Sequence, residues 1–257
     1  MSGNARKALS IGLLCVALLW PSILHAQVAD PFVAAIDRVK KGIGGIACLV
    51  LKGDTLVYGR PVRGSAFFIS SRGRFVTAAH VLWTLPPRPS PDCQLIAIYV
   101  PHHGDWQTDS VNIQTRFLIF EPSACTVDGE HDIAICATIS DASEDPLVDM
   151  EPLTLHTAIQ PDGTAIAFSG FPLDVLAPLT SRGFVARYRP FARVPAAEII
   201  IDKAAWPGAS GSPLFLSDGR VVGVVRATGT QLAAGLAYAQ SSAIIQQTID
   251  KMPSATK

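Results

Sequence analysis

Residues 206–215 read Trp-Pro-Gly-Ala-Ser-Gly-Ser-Pro-Leu-Phe, a serine set between two glycines just ahead of an apolar run. A nucleophilic serine needs an exposed hydroxyl, and it gains from backbone N–H groups aimed at the oxyanion its attack creates. Gly208 and Gly211 allow the tight turn and close substrate approach such a site requires. On this reading Ser210 is the nucleophile, and the N–H groups of Gly208 and Ser210 form the oxyanion hole. Ser212 is the other hydroxyl in the turn. The same residues also suit a plain turn before a strand, so the decision rests on what the rest of the chain supplies.

The N-terminus reads as a secretory leader. Arg6 and Lys7 precede an apolar run from Ala8 to Leu24 that is broken by Pro21, and Ala26 gives a small residue before a cut at Gln27. The run is short and interrupted for a spanning helix. Residues 1–26 are therefore expected to be a removed signal peptide, and the mature protein to be exported, periplasmic or secreted, with no membrane partner. The 21 basic and 21 acidic residues balance. Loss of Arg6 and Lys7 leaves the mature chain two charges on the acidic side, which gives nucleic acid or an anionic membrane nothing to recognise.

Five cysteines are present. Cys15 leaves with the leader, and Cys48, Cys93, Cys125 and Cys136 remain, an even number that suits two disulfides in an exported protein. Three pairings are open. Closeness in sequence favours Cys125 with Cys136, leaving Cys48 with Cys93. Metal binding is disfavoured, because no CxxC pair or close Cys/His set occurs.

From Ile43 onward, short β-branched, aromatic and aliphatic runs alternate with turn residues, the pattern of antiparallel strands. GIACLVL, TLVYG, SAFFIS and FVTAAHVLW come first, each separated by a turn, then QLIAIYV, VNIQTRFLIF and DIAICATI. The proline-rich segment from Pro86 to Asp92 reads as a surface loop. Residues 141–157 read as a connection between halves, placing an N-terminal unit at 27–155 and a C-terminal unit at 156–257. GTAIAFSG, RGFVARYRP, EIIID, RVVGVVRAT and GLAYAQ continue the strand pattern. Only the end reads as helix, capped by Ser241 or Ser242 with Ile244, Ile245, Ile249 and Met252 on its apolar face. The class is all-β.

A serine nucleophile needs a base, usually histidine near neutral pH. After leader removal the histidines are His80, His102, His103, His131 and His156, all before Ser210. That excludes the hydrolase order in which histidine follows serine. His80 closes a strand–turn–strand segment, and small alanines beside it leave room for a serine and a substrate. His102 and His103 sit in a polar loop, and His131 belongs to the loop before the acid. Asp132 opens an apolar strand, a place for the partly buried carboxylate that would orient the histidine. Asp128 and Glu130 read as solvent-facing.

Taken together, GSAFFISSRGRFVTAAHVLW, HDIAICAT and WPGASGSPLF resemble the His, Asp and Ser blocks of the trypsin/chymotrypsin-like serine proteases, most closely the bacterial trypsin-like peptidases. AFSGFP at 167–172 and the GRVVGVVRA and GLAYAQSS strands agree, so the likeness spans residues 43–250. It implies two packed antiparallel six-stranded β-barrels followed by a C-terminal helix, with a cleft between the barrels. His80 and Asp132 would come from the first barrel and Ser210 from the second. It also implies acyl transfer on a polypeptide substrate, with no metal or organic cofactor. With Lys257 only a few residues past the helix, no additional peptide-binding domain is expected. A protease-fold binding protein without activity and an esterase with the same triad are the competing readings.

The departures from that family carry information. Ala209 replaces the aspartate that pairs with a newly cut N-terminus in animal digestive members. KKGIGG at 40–45 resembles an activation site only superficially, and no zymogen switch of that type is expected. Ser212 replaces a glycine, and Val81 stands where many animal members have cysteine. Ala204, six before the serine, and Ala205 put no charge in the specificity pocket, so small or medium apolar P1 residues are expected. Arg226, near the pocket wall, is the one group that would favour an acidic residue instead.

Overall fold

Asp30 opens the described chain as a helix N-cap, its carboxylate accepting from the Phe32 N–H at 3.0 Å. The computed structural model describes residues 30–53, 55–86, 89–101, 115–139, 150–174, 176–228 and 235–252. The leader, His102, His103 and most of the connection at 141–157 lie outside them. Helix α1 (Pro31–Lys40) buries Phe32, Ala35 and Val39 on one face. It is a helix that the sequence reading, which placed one only at the end, did not expect.

The first sheet is built from β1 (Ile43–Lys52), β2 (Thr55–Phe68), β3 (Arg74–Ala78), β4 (Leu95–Pro101), β5 (Thr115–Ile119), β6 (Thr126–Asp128) and β7 (Ile133–Ala137). Its order is β5-β4-β1-β2-β3-β7-β6, all antiparallel. It forms a seven-stranded half-barrel rather than a closed six-stranded one. TLVYG and the SAFF of SAFFIS belong to the single strand β2. The intervening RPVRG does not turn, because β1 pairs on both sides of it, with register shifts at Ile46/Cys48 and Cys48/Leu49 taking up the mismatch.

The second sheet closes into a six-stranded barrel of β8 (Ala165–Gly170), β9 (Leu179–Phe191), β10 (Val194–Ile201), β11 (Pro213–Phe215), β12 (Val221–Thr228) and β13 (Ala237–Ser241), ordered β10-β13-β12-β11-β8-β9. A C-terminal helix (Ser242–Asp250) follows, with Ile244 and Ile245 buried as the pattern requires. Ser241 is the N-cap residue, but its side chain makes no capping bond. The Ser242 hydroxyl instead donates to the Val221 carbonyl at 2.7 Å. Among the described residues no helix is long and apolar enough to cross a membrane.

One apolar cluster joins the two sheets. Phe32 of α1 lies against Phe215 (ring centroids 6.4 Å apart), and Tyr99 meets Phe171 edge-on at 5.6 Å. Separate clusters fill the interior of each sheet. Two disulfides tie the first: Cys48–Cys93, with Cα atoms 4.7 Å apart, and Cys125–Cys136, at 4.3 Å. These are the pairings that sequence proximity favoured.

Candidate active site

Strands β3 and β7 pair in register up to Ala78 opposite Ile133, so the residues just beyond them, Ala79-His80 and Asp132, are brought face to face. His80 lies in the first turn of the short helix α2 (Ala79–Trp83), not at a strand end as the sequence suggested. Three bonds zip this corner. The Ala79 N–H donates to the Asp132 carbonyl at 3.1 Å, the His80 N–H to Asp132 Oδ1 at 2.8 Å, and His80 Nδ1 meets Asp132 Oδ2 at 2.8 Å. A carboxylate only accepts, so the proton of this last contact is on Nδ1, and His80 Nε2 is left as the acceptor. Asp132 holds this geometry at φ +57°, a left-handed conformation that aspartate tolerates better than most residues.

Ser210 arrives from the other sheet on the turn before β11. Gly208 (φ +92°) and Gly211 (φ +90°) both adopt left-handed backbone. A Cβ at 208 would sit 2.5 Å from the Phe171 carbonyl oxygen, and one at 211 only 1.8 Å from that of Ser65. Glycine is required at both. Among the described residues neither the Gly208 nor the Ser210 N–H donates to a backbone carbonyl.

Ser65, fully buried in β2, supports the serine turn and was not picked out from the sequence. Its hydroxyl donates to the Gly208 carbonyl at 2.8 Å and accepts from the Phe171 N–H at 2.9 Å. Its own N–H donates to the Ser210 carbonyl at 2.7 Å. The first sheet thereby holds the serine turn of the second. The signal was a serine opening the SAFFIS run, but its partners lie more than 100 residues away.

His80, Asp132, Ser210 and Arg226 line one cleft of about 490 Å³, together with Trp83, Gly129, Trp206 and Pro207, a volume within the usual range for ligand sites. A larger groove of about 780 Å³ lies beyond Trp83. It is mostly apolar, and although Ser123 and Glu121 in its lining bond each other at 3.0 Å, it holds no histidine. The histidine, its carboxylate and a serine meet only in the smaller cleft. Ala204 and Ala205 do not line the cleft, and Ala205 is buried in the barrel core. The Arg226 guanidinium is turned away from the role of a free pocket charge: Nε donates to Asp132 Oδ2 at 3.4 Å and Nη1 to Glu198 Oε1 at 2.9 Å. Ser212 is fully buried and offers no hydroxyl to a substrate.

Of the other histidines, His156 bonds Arg220 at 2.8 Å on the surface. His131 is buried, its Nδ1 2.9 Å from Asp128 Oδ2. Asp128 is therefore part of a half-buried pair rather than solvent-facing. Burial alone would push its carboxyl up, but the bonds from the His131 ring and N–H, with the His131 and Lys251 charges, outweigh that and hold it below its ordinary value.

Two antiparallel sheets, one of them a closed barrel, bring a histidine–aspartate pair and a serine to one cleft, the architecture of the trypsin-like fold. The chain belongs to the trypsin-like peptidase domain family, whose model matches residues 64–224, more than half of the sequence. Solved structures of the same fold include the active form of the Rv3671c protease from M. tuberculosis, 19% identical over 90% of this chain and 88% of that one, with a TM-score of 0.58. The serine endoprotease from Yersinia pestis is 16% identical over 86% of this chain and 65% of its own, TM-score 0.58. The HtrA-type protease AlgW, solved with a decapeptide, is 15% identical over 86% and 68%, TM-score 0.60. No curated protein matches the sequence.

Proposed function

We propose that this chain is an exported serine endopeptidase that hydrolyses peptide bonds through His80, Asp132 and Ser210. The observation that carries the reading is the 2.8 Å contact of His80 Nδ1 with Asp132 Oδ2 in the same cleft as Ser210, because it presents Nε2 as a base where a serine can reach it. Ser210 Oγ bonds to the scissile carbonyl carbon as its proton passes to His80 Nε2. The oxyanion is held by the Gly208 and Ser210 N–H groups. The C–N bond then breaks as His80 returns the proton to the leaving amine, and water repeats the sequence to release the acyl group. Asp132 stabilises the imidazolium throughout.

Membership of the peptidase family supports the reaction class, the decapeptide bound to AlgW supports a polypeptide ligand, and two disulfides support an oxidising compartment. With Arg226 paired to Asp132 and Glu198, a cleft whose lining charges are already paired and which is walled by Trp83, Trp206 and Pro207 favours apolar P1 residues. Profiling on a peptide library checks this, and strong selection for Lys or Arg overturns it.

The test of activity is labelling of the mature protein with a fluorophosphonate probe, with Ser210→Ala alongside. Labelling lost in the variant supports the peptidase. No labelling of the folded wild type favours a binding protein on the same fold, while labelling with hydrolysis of esters but not peptides favours an esterase.

A further inference from the structure

We propose that Arg226 is a positioning residue for the triad, acting on His80 through Asp132, and that the buried Glu198 aims it. The proposal rests on the peptidase reading and adds a part to it.

Arg226 stands on β12 and touches both ends of the candidate machinery. Its main-chain carbonyl accepts the Ser210 hydroxyl at 3.1 Å. Its side chain, 22% exposed, gives Nε to Asp132 Oδ2. The guanidinium lies over the Phe191 ring, 4.6 Å from the centroid, a contact that fixes its plane.

Glu198 explains why the fork points this way. It is only 1% exposed, in the barrel wall, with Arg189 and Gln240 opposite it in register. A buried carboxylate is costly unless both oxygens are served. Arg189 Nε bonds Oε2 and Arg226 Nη1 bonds Oε1 at 2.9 Å. Two carboxylates from different sheets, Asp132 and Glu198, thus share one guanidinium. A planar fork can span them, whereas the single point charge of a lysine cannot. With Nη1 held by Glu198, Nε is left facing Asp132 Oδ2, on the oxygen that also receives His80 Nδ1. The arrangement restrains the carboxylate against rotation, and so restrains the imidazole.

Arg226→Met, Arg226→Lys, Glu198→Gln and the Arg226→Met/Glu198→Gln pair test this in the mature chain. The pair removes both charges together, so it remains informative where Arg226→Met alone fails to fold by stranding Glu198. Two readouts are taken: the rate of fluorophosphonate labelling, and the low-field proton resonance of His80 Nδ1–H in Ser210→Ala protein, which needs no activity. We expect labelling to slow roughly 10- to 100-fold in Arg226→Met, Arg226→Lys and the pair, the scale on which partners that orient a histidine act elsewhere. In an Asp132→Asn background the same substitutions should cost nothing further, because the effect travels through Asp132. The His80 resonance should broaden in Arg226→Met and in the pair.

An equal loss in the Asp132→Asn background would mean a structural role and overturn the proposal. So would unchanged labelling with loss confined to peptides bearing an acidic side chain, which would make Arg226 a substrate reader. If the folded wild type does not label at all, the peptidase reading fails on its own. The His80 resonance then decides the positioning role, and a signal unmoved by Arg226→Met or the pair rejects it.

Discussion

The Ser210 hydroxyl donates to the main-chain carbonyl of Arg226 at 3.1 Å, and among the described residues it makes no bond to His80. While the serine faces this carbonyl, His80 and Asp132 are already joined at 2.8 Å. Hydrogen bonds between a catalytic serine and its histidine often tighten only when a substrate binds. On the peptidase reading, Asp132 and His80 are preset and substrate entry turns the serine.

Asp132→Asn should therefore remove chemistry and spare the fold. Asparagine tolerates φ +57° as aspartate does, and it keeps an oxygen for the His80 N–H. It cannot hold the Nδ1–H tautomer, so kcat should fall by about 10⁴ with KM little changed. Steady-state hydrolysis of a fluorogenic peptide, with thermal unfolding as the control, checks this. A loss of under tenfold would remove Asp132 from the triad.

Ser65→Ala probes the staple between the two sheets. It leaves the Gly208 carbonyl and the Phe171 N–H without their buried partner, at a cost of about 1–3 kcal/mol. With Gly208 as the proposed oxyanion donor, labelling should slow by more than the stability loss explains at temperatures where the variant is fully folded. Denaturant titration beside labelling kinetics separates the two effects. Destabilisation with an unchanged labelling rate would make Ser65 purely structural.

Acid should weaken the fold through Asp128. Its carboxyl is held below the ordinary 3.8, so the folded state binds protons less readily than the unfolded one. The stability this contributes is fully present above the unfolded value and is lost as pH falls through the folded value, below about pH 4. Asp218, also lowered by its bonds from Arg220 against the upward push of burial, is half-exposed and adds little. Stability measured from pH 7 to pH 2 should be flat near neutrality and decline in acid, and Asp128→Asn should flatten that decline. An unchanged acid slope in the variant would place the sensitivity elsewhere.

What could be read from the sequence was local. The glycine-flanked serine, the strand runs and the helical spacing of Ile244 and Ile245 each fit within a short window. The misses are tertiary. RPVRG has turn composition, yet β1 pairs on both sides of it and holds it extended. Helix α1 did carry signals, in the Asp30 cap, Pro31 and the spacing of Phe32, Ala35 and Val39, but they adjoin the apolar leader and were masked by it. Arg226 read as a pocket charge because its partners Asp132 and Glu198 are 94 and 28 residues away. No local pattern reports a guanidinium shared between two sheets.

The two disulfides should differ in worth by the loops they close. Cys48–Cys93 spans 45 residues and Cys125–Cys136 spans 11. Chain-entropy estimates give about 4 kcal/mol for the first and about 3 kcal/mol for the second. Each is a large share of the 5–15 kcal/mol by which a domain is typically stable. Their positions add a functional difference. Cys136 lies on β7, four residues after Asp132, and its bridge anchors the strand that presents the acid. Cys48 and Cys93 fix β1 to the segment entering β4, on the far side of the sheet order from the β3–β7 pair. Cys48→Ala/Cys93→Ala should thus cost more stability in a denaturant titration, while Cys125→Ala/Cys136→Ala should cost more labelling rate at a temperature where both remain folded. If the 11-residue bridge can be removed with no loss of labelling, the β3–β7 register alone is sufficient to hold Asp132 against His80.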